Sequence, residues 1–261
     1  MFAVTNLIKI TFPRALRKIQ LYAFLRLYSL NEISSNSPNF VVYDGIAYSS
    51  DFRTVVRASS NTTHQIAPYV RICDDCSVFS GCLFESYKIE CRLEKLGNSM
   101  FRLCPNLTYL DISNCVCTYL PSGFVEGNNL NTLILPDTIR SIGDWILRNG
   151  MIATFVIPSS VTYVSQNAFG KASISEFVYC GMSKLEGDVL KTNVQMTLSL
   201  NYPYETFLGR STLSKTLGNC LPPRTPLRTP SPTPICYNSV RFVNCNIKFS
   251  NFLVFIAMLL N

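Results

Sequence analysis

The stretch LNTLILP at residues 130–136 recurs 22 residues later as IATFVIP at residues 152–158. Each stretch ends in a proline, and a large apolar residue follows eleven positions further on, Leu147 in the first case and Phe169 in the second. Units that recur every 20–29 residues or so with leucine-type spacing are typical of solenoids, in which each unit forms one turn. The fold therefore depends on how far this period extends.

The period extends in both directions from these two units. Further copies pair the proline position with an aromatic residue eleven positions later: Pro13 with Phe24, Pro68 with Phe79, Glu90 with Phe101, and Ser113 with Phe124. A last copy begins at Ile174, with Cys180 in place of the proline and Lys191 in place of the aromatic residue. One unit cannot bury its apolar side chains alone, so neighbouring units must share a continuous core. We therefore expect Phe24, Phe79, Phe101, Phe124 and Phe169 to align in a column.

The residues before each proline predict a short β-strand. Apolar side chains alternate there, as at Phe155 and Ile157, which is the pattern of a strand with one buried face. The proline ends the strand because it has no amide hydrogen to donate to the ladder. Apolar residues three and six positions after the proline, such as Ile139 and Ile142, are expected to face the same core.

These units resemble the leucine-rich repeats of the BspA-like, Treponema-type surface proteins, whose consensus is roughly L-x-x-I-x-I-P-x-x-V-x-x-I-G-x-x-A-F-x-x-C. The second half of that consensus is matched at 142–143 and 96–97 (I/L-G), at 23–24 and 168–169 (A-F), and at 79–82 and 101–104 (F-x-x-C). The resemblance covers about residues 7–190. It implies a curved, α/β-type leucine-rich-repeat solenoid with short strands stacked on one face and few or no regular helices. It also implies a role in surface adhesion or ligand binding, and no catalysis.

The period is interrupted between residues 35 and 65. Two β-rich runs flank Asp44-Gly45, a dipeptide that favours a type I′ turn, so we predict a β-hairpin there and a further strand at 54–58. BspA-like arrays carry a similar insertion, of the form N-P-x-F-x-x-x-D-G-x-x-Y-S, which residues 37–49 resemble. The hairpin is either a recognition arm or a structural variation of one turn.

The predicted organisation continues beyond the repeats. We expect a solenoid at 1–200, a degenerate cap or linker at 201–220, a Pro/Thr-rich stalk at 221–236 and a short tail ending in an apolar segment at 237–261. The stalk favours extended, semi-rigid polyproline II structure and is expected to be disordered. We interpret residues 1–10 as the first strand of the solenoid and not as a signal peptide. No polar cap precedes it, which leaves open that the chain is a fragment of a longer array.

The C-terminus and the charge distribution bear on localisation. The uninterrupted apolar run at 252–260 is nine residues long, whereas a spanning helix needs about twenty, so attachment to a membrane through the C-terminus stays an open alternative. Of the formal charge of +7, residues 201–261 contribute six basic side chains and one acidic, a net +5. This basic tail fits a solvated linker or a juxtamembrane segment, and we expect no nucleic-acid partner.

The residues available for chemistry are few. His64 is the single histidine, and neither a phosphate-binding glycine loop nor a metal-ligand cluster is present in the sequence, so we predict no enzyme and no cofactor. Of the eleven cysteines, Cys82 and Cys104 occupy one repeat position, which predicts buried, stacked thiols. The C-x-x-C pair Cys73 and Cys76 leaves a redox or metal protein as an alternative hypothesis.

The outward residues of the predicted strands form the candidate binding face: Lys88, Tyr109, Asp111, Thr132, Ile134, Thr154, Val156 and Glu176. Tyr109 is the best single candidate for an anchor, because aromatic residues often dominate interfaces. We expect a cell-surface or extracellular protein that binds a host or matrix protein or a glycan. The alternative is a cytoplasmic scaffold that uses the same face, with the proline-rich segment as a ligand for an aromatic-groove domain.

Overall fold

The computed structural model describes residues 7–20, 23–24, 26–73, 77–186, 194–212 and 216–217. These residues lie within the first of two compact units, which spans residues 1–224. The predicted stalk at 221–236 and the tail at 237–261 fall outside the described residues. Within the described part of the chain the regular elements are all strands, and these residues include no apolar helix of membrane-spanning length.

The strands are short, and most repeats contain one or two of them. In chain order they are β1 Lys9–Phe12, β2 Glu32–Ser35, β3 Phe40–Tyr43, β4 Ile46–Ser49, β5 Val55–Ala58, β6 Ser86–Lys88, β7 Tyr109–Asp111, β8 Tyr119–Leu120, β9 Asn129–Leu130, β10 Thr132–Ile134, β11 Ser141–Ile142, β12 Met151–Ile157, β13 Tyr163–Val164, β14 Ser173–Tyr179, β15 Gln195–Leu198, β16 Thr206–Phe207, β17 Arg210–Ser211 and β18 Thr216–Leu217.

One side of the solenoid, called here the first face, is formed by the strands that precede each proline position. Strands β6, β7 and β10 pair in parallel, and β9, β12, β14, β15 and β18 form a second parallel ladder. The partners are one repeat apart, as for Tyr109 with Thr132 and Phe155 with Phe177. The repeat spacing in the sequence therefore equals the separation in sequence between paired residues of neighbouring strands. This confirms the predicted solenoid.

A further side, called here the second face, carries a sheet that the sequence pattern did not lead us to predict. Strands β8, β11 and β13 pair in parallel, with Leu120, Ile142 and Val164 in one register row. These three side chains are buried. The strands were missed because each spans only two residues, too few to show an alternating pattern. Strands therefore stack on two faces of the solenoid.

The remaining side of each turn is held by hydrogen bonds between consecutive turns without strand geometry. The amide of Phe79 donates to the carbonyl of Met100 (2.8 Å), and the amide of Phe101 donates to that of Phe124 (2.9 Å). This side also uses left-handed backbone, in one series at Gly81, Leu103, Gly127, Asn149 and Lys171 and in a second at Ser77, Ser99, Gly123 and Trp145, with φ between 52° and 77°. Glycine adopts this conformation without steric cost, and the other residue types adopt it here because the turn geometry requires it.

The aromatic residues that close the repeats form the predicted column over most of the solenoid. The Phe79 and Phe101 rings stack with their centroids 5.2 Å apart, and Phe124 meets Phe101 edge-on at 5.5 Å. Phe169 belongs to the same core cluster and packs against Phe155. Phe24 lies instead in a separate apolar cluster, against Phe12.

The hairpin insertion separates the two apolar clusters. Strands β3, β4 and β5 pair antiparallel, and Asp44 and Gly45 both have positive φ, as the predicted type I′ turn requires. Ile46 and Tyr48 on β4 are buried in the larger cluster, and Ala47 in the smaller one. The hairpin with β5 is thus packed between neighbouring turns as part of the core. It is a structural variation of one turn and not a projecting recognition arm.

Arg57 on β5 ties the turns on either side of the hairpin together. Its side chain is fully buried. One terminal nitrogen donates to the carbonyls of Leu27 (2.6 Å) and Ser80 (2.8 Å), and the other donates to the carbonyl of Ser77. A guanidinium presents several donors in a rigid plane, so it can satisfy backbone acceptors from both neighbours at once.

Substitution Phe101→Ala is expected to lower the free energy of unfolding by about 3–5 kcal/mol, because it removes a fully buried ring from the middle of the column. Tyr163→Ala, at a side chain that is 60% exposed, is the matched control and should stay within about 0.5 kcal/mol of wild type. Urea unfolding of the full chain followed by circular dichroism measures both. Equal effects of the two variants would contradict the shared core.

Substitution Arg57→Met is expected to destabilise the chain by about 2–4 kcal/mol, since it leaves buried carbonyls without donors. Arg53→Met, at an exposed arginine beside the same hairpin, is the control and should be nearly neutral. The comparison uses the same unfolding measurement. If the two methionine variants unfold at the same denaturant concentration, Arg57 does not connect the turns as described.

Candidate ligand-binding face

The structure places the eight predicted residues in two rows along the first face. One row holds Ser86, Tyr109 and Thr132, and continues with Thr154, Glu176 and Gln195. The other row holds Lys88, Asp111 and Ile134, and continues with Val156, Val178 and Thr197. Strands β10 and β12 are in contact, but they are not paired by hydrogen bonds. On that side β12 pairs instead with β9, which directly precedes β10. The face therefore consists of two ladders placed side by side.

Charged side chains cluster at the N-terminal end of this face. The Lys88 ammonium lies 3.7 Å from a carboxylate oxygen of Glu90 and 4.0 Å from one of Asp111. Asp111 differs from the expectation of an outward side chain, because only 7% of its surface is exposed and its carboxylate accepts the amide of Ser113 at 2.9 Å. Asp111 thus holds the end of its own strand and orients Lys88, which is the accessible group of the pair.

Glu176 is fixed in the C-terminal half of the face. One of its carboxylate oxygens accepts the hydroxyl of Thr154 at 3.1 Å, and the other accepts that of Thr197 at 2.6 Å. The two threonines come from the strands on either side of Glu176. Because both oxygens are held from neighbouring strands, the carboxylate is a positioned acceptor and not a freely rotating surface acid.

An apolar stripe crosses the middle of the face. Ile134 and Val156 occupy neighbouring strands with 36% and 49% of their surface exposed. Tyr109 adds an aromatic ring that is 37% exposed. Exposed apolar side chains set side by side and flanked by charged groups are characteristic of binding surfaces.

Several exposed residues on the other faces were missed by the sequence reasoning. Tyr119 and Tyr163 are 46% and 60% exposed on the second face. The signal was present as a tyrosine five or six positions after the proline position, directly before a buried apolar residue. It was overlooked because the second sheet itself was not predicted.

The predicted thiols are buried as expected. Cys104 lies 3.1 Å from the carbonyl oxygen of Phe79, and Cys82 lies 3.6 Å from that of Ser59. Burial raises the pKa of the Cys104 thiol to about 12, well above its ordinary value. Both cysteines are free, and Cys180 is disulfide-bonded.

The pair behind the redox or metal hypothesis is only partly described. Cys73 is fully buried, and burial raises its pKa well above the usual range, whereas Cys76 lies outside the described residues. A thiol becomes a nucleophile or a metal ligand only as the thiolate, which burial disfavours at Cys73. Within the described part of the chain no cluster of three metal-ligating side chains forms. His64 lies elsewhere, beside the hairpin turn, with its Nδ1 3.6 Å from a carboxylate oxygen of Asp44.

Comparison with known proteins gives matches to the repeats and to the fold. The family model described as BspA type leucine rich repeat region matches residues 1–69 and 70–195 in six copies. A search of curated proteins found no match.

Two solved structures are similar to this chain. A leucine-rich cell surface protein from Faecalibacterium prausnitzii A2-165 superposes with a TM-score of 0.53 at 22% identity, over 67% of this chain and 49% of its own. The pneumococcal vaccine antigen PcpA superposes with a TM-score of 0.51 at 14% identity, over 74% of this chain and 51% of its own. At these identities the similarity shows the fold alone, and the match spans about half the length of each relative.

We expect the six free thiols of the described residues to resist alkylation by iodoacetamide at pH 8 in the native chain. They are Cys73, Cys82, Cys91, Cys104, Cys115 and Cys117. Burial raises the pKa of each above the ordinary thiol value, to about 11 for Cys91, so that nearly all of each remains protonated at pH 8. Peptide mass spectrometry after alkylation, with and without denaturant, measures the reaction at each position. Rapid native alkylation of Cys82 or Cys104 would contradict the buried stack.

Proposed function

Because this chain belongs to the BspA-type leucine-rich repeat family, we propose that it is a non-enzymatic cell-surface module that binds a protein or glycan through its first face. The observation that carries this proposal is the set of exposed side chains held in register on neighbouring strands of that face. Tyr109, Ile134 and Val156 supply apolar contact area, and Lys88 and Glu176 supply charges of opposite sign.

The physical basis of such binding is a face that is formed before the ligand arrives. Backbone ladders fix the strands, and hydrogen bonds from Thr154 and Thr197 fix the Glu176 carboxylate. Little conformational entropy is then lost on binding, and this lowers the cost of association. Repeat proteins use such extended surfaces to bind large partners, with the contacts spread over several turns.

A binding role explains the described residues better than catalysis does. The free thiols of the described residues are buried with raised pKa values, Lys88 lies beside the Glu90 carboxylate, and the Glu176 carboxylate is held by two threonines. The face offers contact area and charge, which are the requirements of recognition.

Localisation at the cell surface is supported by two observations. The superposed protein from Faecalibacterium prausnitzii is described as a leucine-rich cell surface protein, and the pneumococcal one as a vaccine antigen. Cys180 is disulfide-bonded, and disulfides persist chiefly in oxidising, extracytoplasmic compartments. Attachment to a membrane through residues 252–260 remains a prediction, because those residues lie outside the described part of the chain.

The binding proposal is tested with the full chain displayed on beads and offered collagen, fibronectin, laminin and mucin. We expect saturable binding to at least one of these, and a loss of tenfold or more in affinity for the double variant Tyr109→Ala, Val156→Glu. Truncating an aromatic anchor commonly costs about 2 kcal/mol, and a charge in an apolar stripe adds a desolvation penalty. Surface plasmon resonance gives the affinities.

The control for this experiment is Tyr69→Ala, a tyrosine that is 54% exposed and belongs to neither row of the first face. It should bind as wild type does. Binding to none of the four probes, or equal affinities for the double variant and the control, would refute the proposal. Surface location is checked independently by antibody labelling of intact cells, where labelling only after permeabilisation would favour the cytoplasmic scaffold.

A further inference from the structure

The second face presents a row of tyrosines in register that the proposed function does not use. Tyr119, Ser141 and Tyr163 are direct neighbours on β8, β11 and β13. Adjacent strands are separated by about 4.8 Å, so the two tyrosines begin about 10 Å apart on the same side of the sheet. Both are substantially exposed, and Ser141 between them is half-buried.

Tyr119 lies along the sheet and does not stand away from it. A Cβ atom built on Gly143 would come within 2.5 Å of the Tyr119 hydroxyl oxygen. The hydroxyl therefore reaches over the next turn of the solenoid, into space that the glycine leaves open. With 46% of its surface exposed, the Tyr119 ring is accessible to a ligand from solvent.

A cation lies in the adjacent row, between the two tyrosines. Arg140 directly precedes Ser141, its amide donates to the carbonyl of Thr118 (2.7 Å), and its carbonyl accepts the amide of Thr162 (2.9 Å). Arg140 is exposed, and a terminal nitrogen donates to the carbonyl of Ser160 at 3.3 Å, which orients the guanidinium. Arg140 is therefore about one strand spacing from Thr118 and from Thr162, the residues that directly precede the two tyrosines.

The hydroxyl groups around Arg140 complete the patch. Thr118 and Thr162 are exposed, and the Thr162 hydroxyl contacts the carbonyl of Arg140 at 3.3 Å. The patch thus consists of the three dipeptides Thr118-Tyr119, Arg140-Ser141 and Thr162-Tyr163, and Arg140 is the only charged residue among these six. The nearby Asp144 is engaged by the hydroxyl of Ser165.

We propose that this patch binds an acidic polysaccharide across the strands of the second face. The apolar sides of two sugar rings stack on Tyr119 and Tyr163, and the carboxylate or sulfate of the intervening unit binds Arg140, which can bond to such groups in a bidentate manner. The threonine and serine hydroxyls suit the many hydroxyls of a sugar. The tyrosines recur on every second strand, about 10 Å apart, and such regular spacing fits a polymer of repeating units better than an irregular protein surface. The proposal does not depend on the first face.

The test measures binding of the full chain to hyaluronan, which carries carboxylates, to dextran sulfate, which carries sulfates, and to neutral dextran. We expect stronger binding to at least one acidic polymer than to dextran, and the stronger of the two identifies the anionic group. Tyr119→Ala, Tyr163→Ala in one chain, and separately Arg140→Gln, should each weaken that binding by tenfold or more. Biolayer interferometry on immobilised polymers gives the affinities.

The controls separate this patch from the basic tail and from loss of fold. All variants retain the tail, with its net charge of +5, so a loss seen only in the variants belongs to the patch. Tyr69→Ala should leave the affinity unchanged, and thermal unfolding should show that the substituted chains fold as wild type does. Polyglutamate serves as an acidic peptide probe that offers no sugar ring for stacking.

Three results would overturn the proposal. One is binding to neither acidic polymer beyond the level of dextran. Another is an unchanged affinity in the double tyrosine variant, which would leave charge alone as the cause of binding. The third is polyglutamate binding that matches the acidic polymers and depends equally on the patch, because it would assign the surface to an acidic protein.

Discussion

The structure depends on hydrogen bonds and apolar contacts between consecutive turns of the chain. A single turn of this length cannot enclose its own apolar side chains, so each turn is stable only with a neighbour on which to stack. Backbone hydrogen bonding also requires a neighbouring turn, because the amide of Phe101 donates to the carbonyl of Phe124 in the next turn. The repeat period in the sequence follows from this requirement, since each turn must return its apolar residues to the same register.

Two features adapt this principle to an irregular chain. The hairpin β3–β4 with β5 interrupts the stack, and buried Arg57 bridges the interruption by donating to carbonyls from the turns on both sides. Glycines, which have no side chain, allow close approach between turns. At Gly143, for example, an added Cβ would lie 3.1 Å from the carbonyl oxygen of Leu120 on the preceding turn. The interior thus consists of two apolar clusters, and the hairpin contributes buried residues to both of them.

The sequence predicted the parts of the fold that involve periodic burial. The strands of the first face, the column of Phe79, Phe101 and Phe124 and the type I′ turn at Asp44-Gly45 are confirmed, because each leaves a local pattern of apolar spacing or turn chemistry. The second sheet left too short a pattern to be found. Burial of Asp111 and the clamping of Glu176 by two threonines could not be predicted either, since they arise from contacts between turns 21–23 residues apart. The sequence identified the candidate binding residues as outward positions of the strands. How exposed each side chain is depends on its contacts with residues of neighbouring turns.

Nuclear Overhauser contacts in the isotope-labelled full chain provide a stringent test of the stacked solenoid. It predicts a continuous series linking each strand residue to its partner one turn away, including Tyr109 with Thr132, Tyr119 with Ser141 and Phe155 with Phe177. Contacts between these same strands in antiparallel order, or the absence of contacts at this spacing in a folded chain, would contradict the stacked solenoid and with it both binding faces.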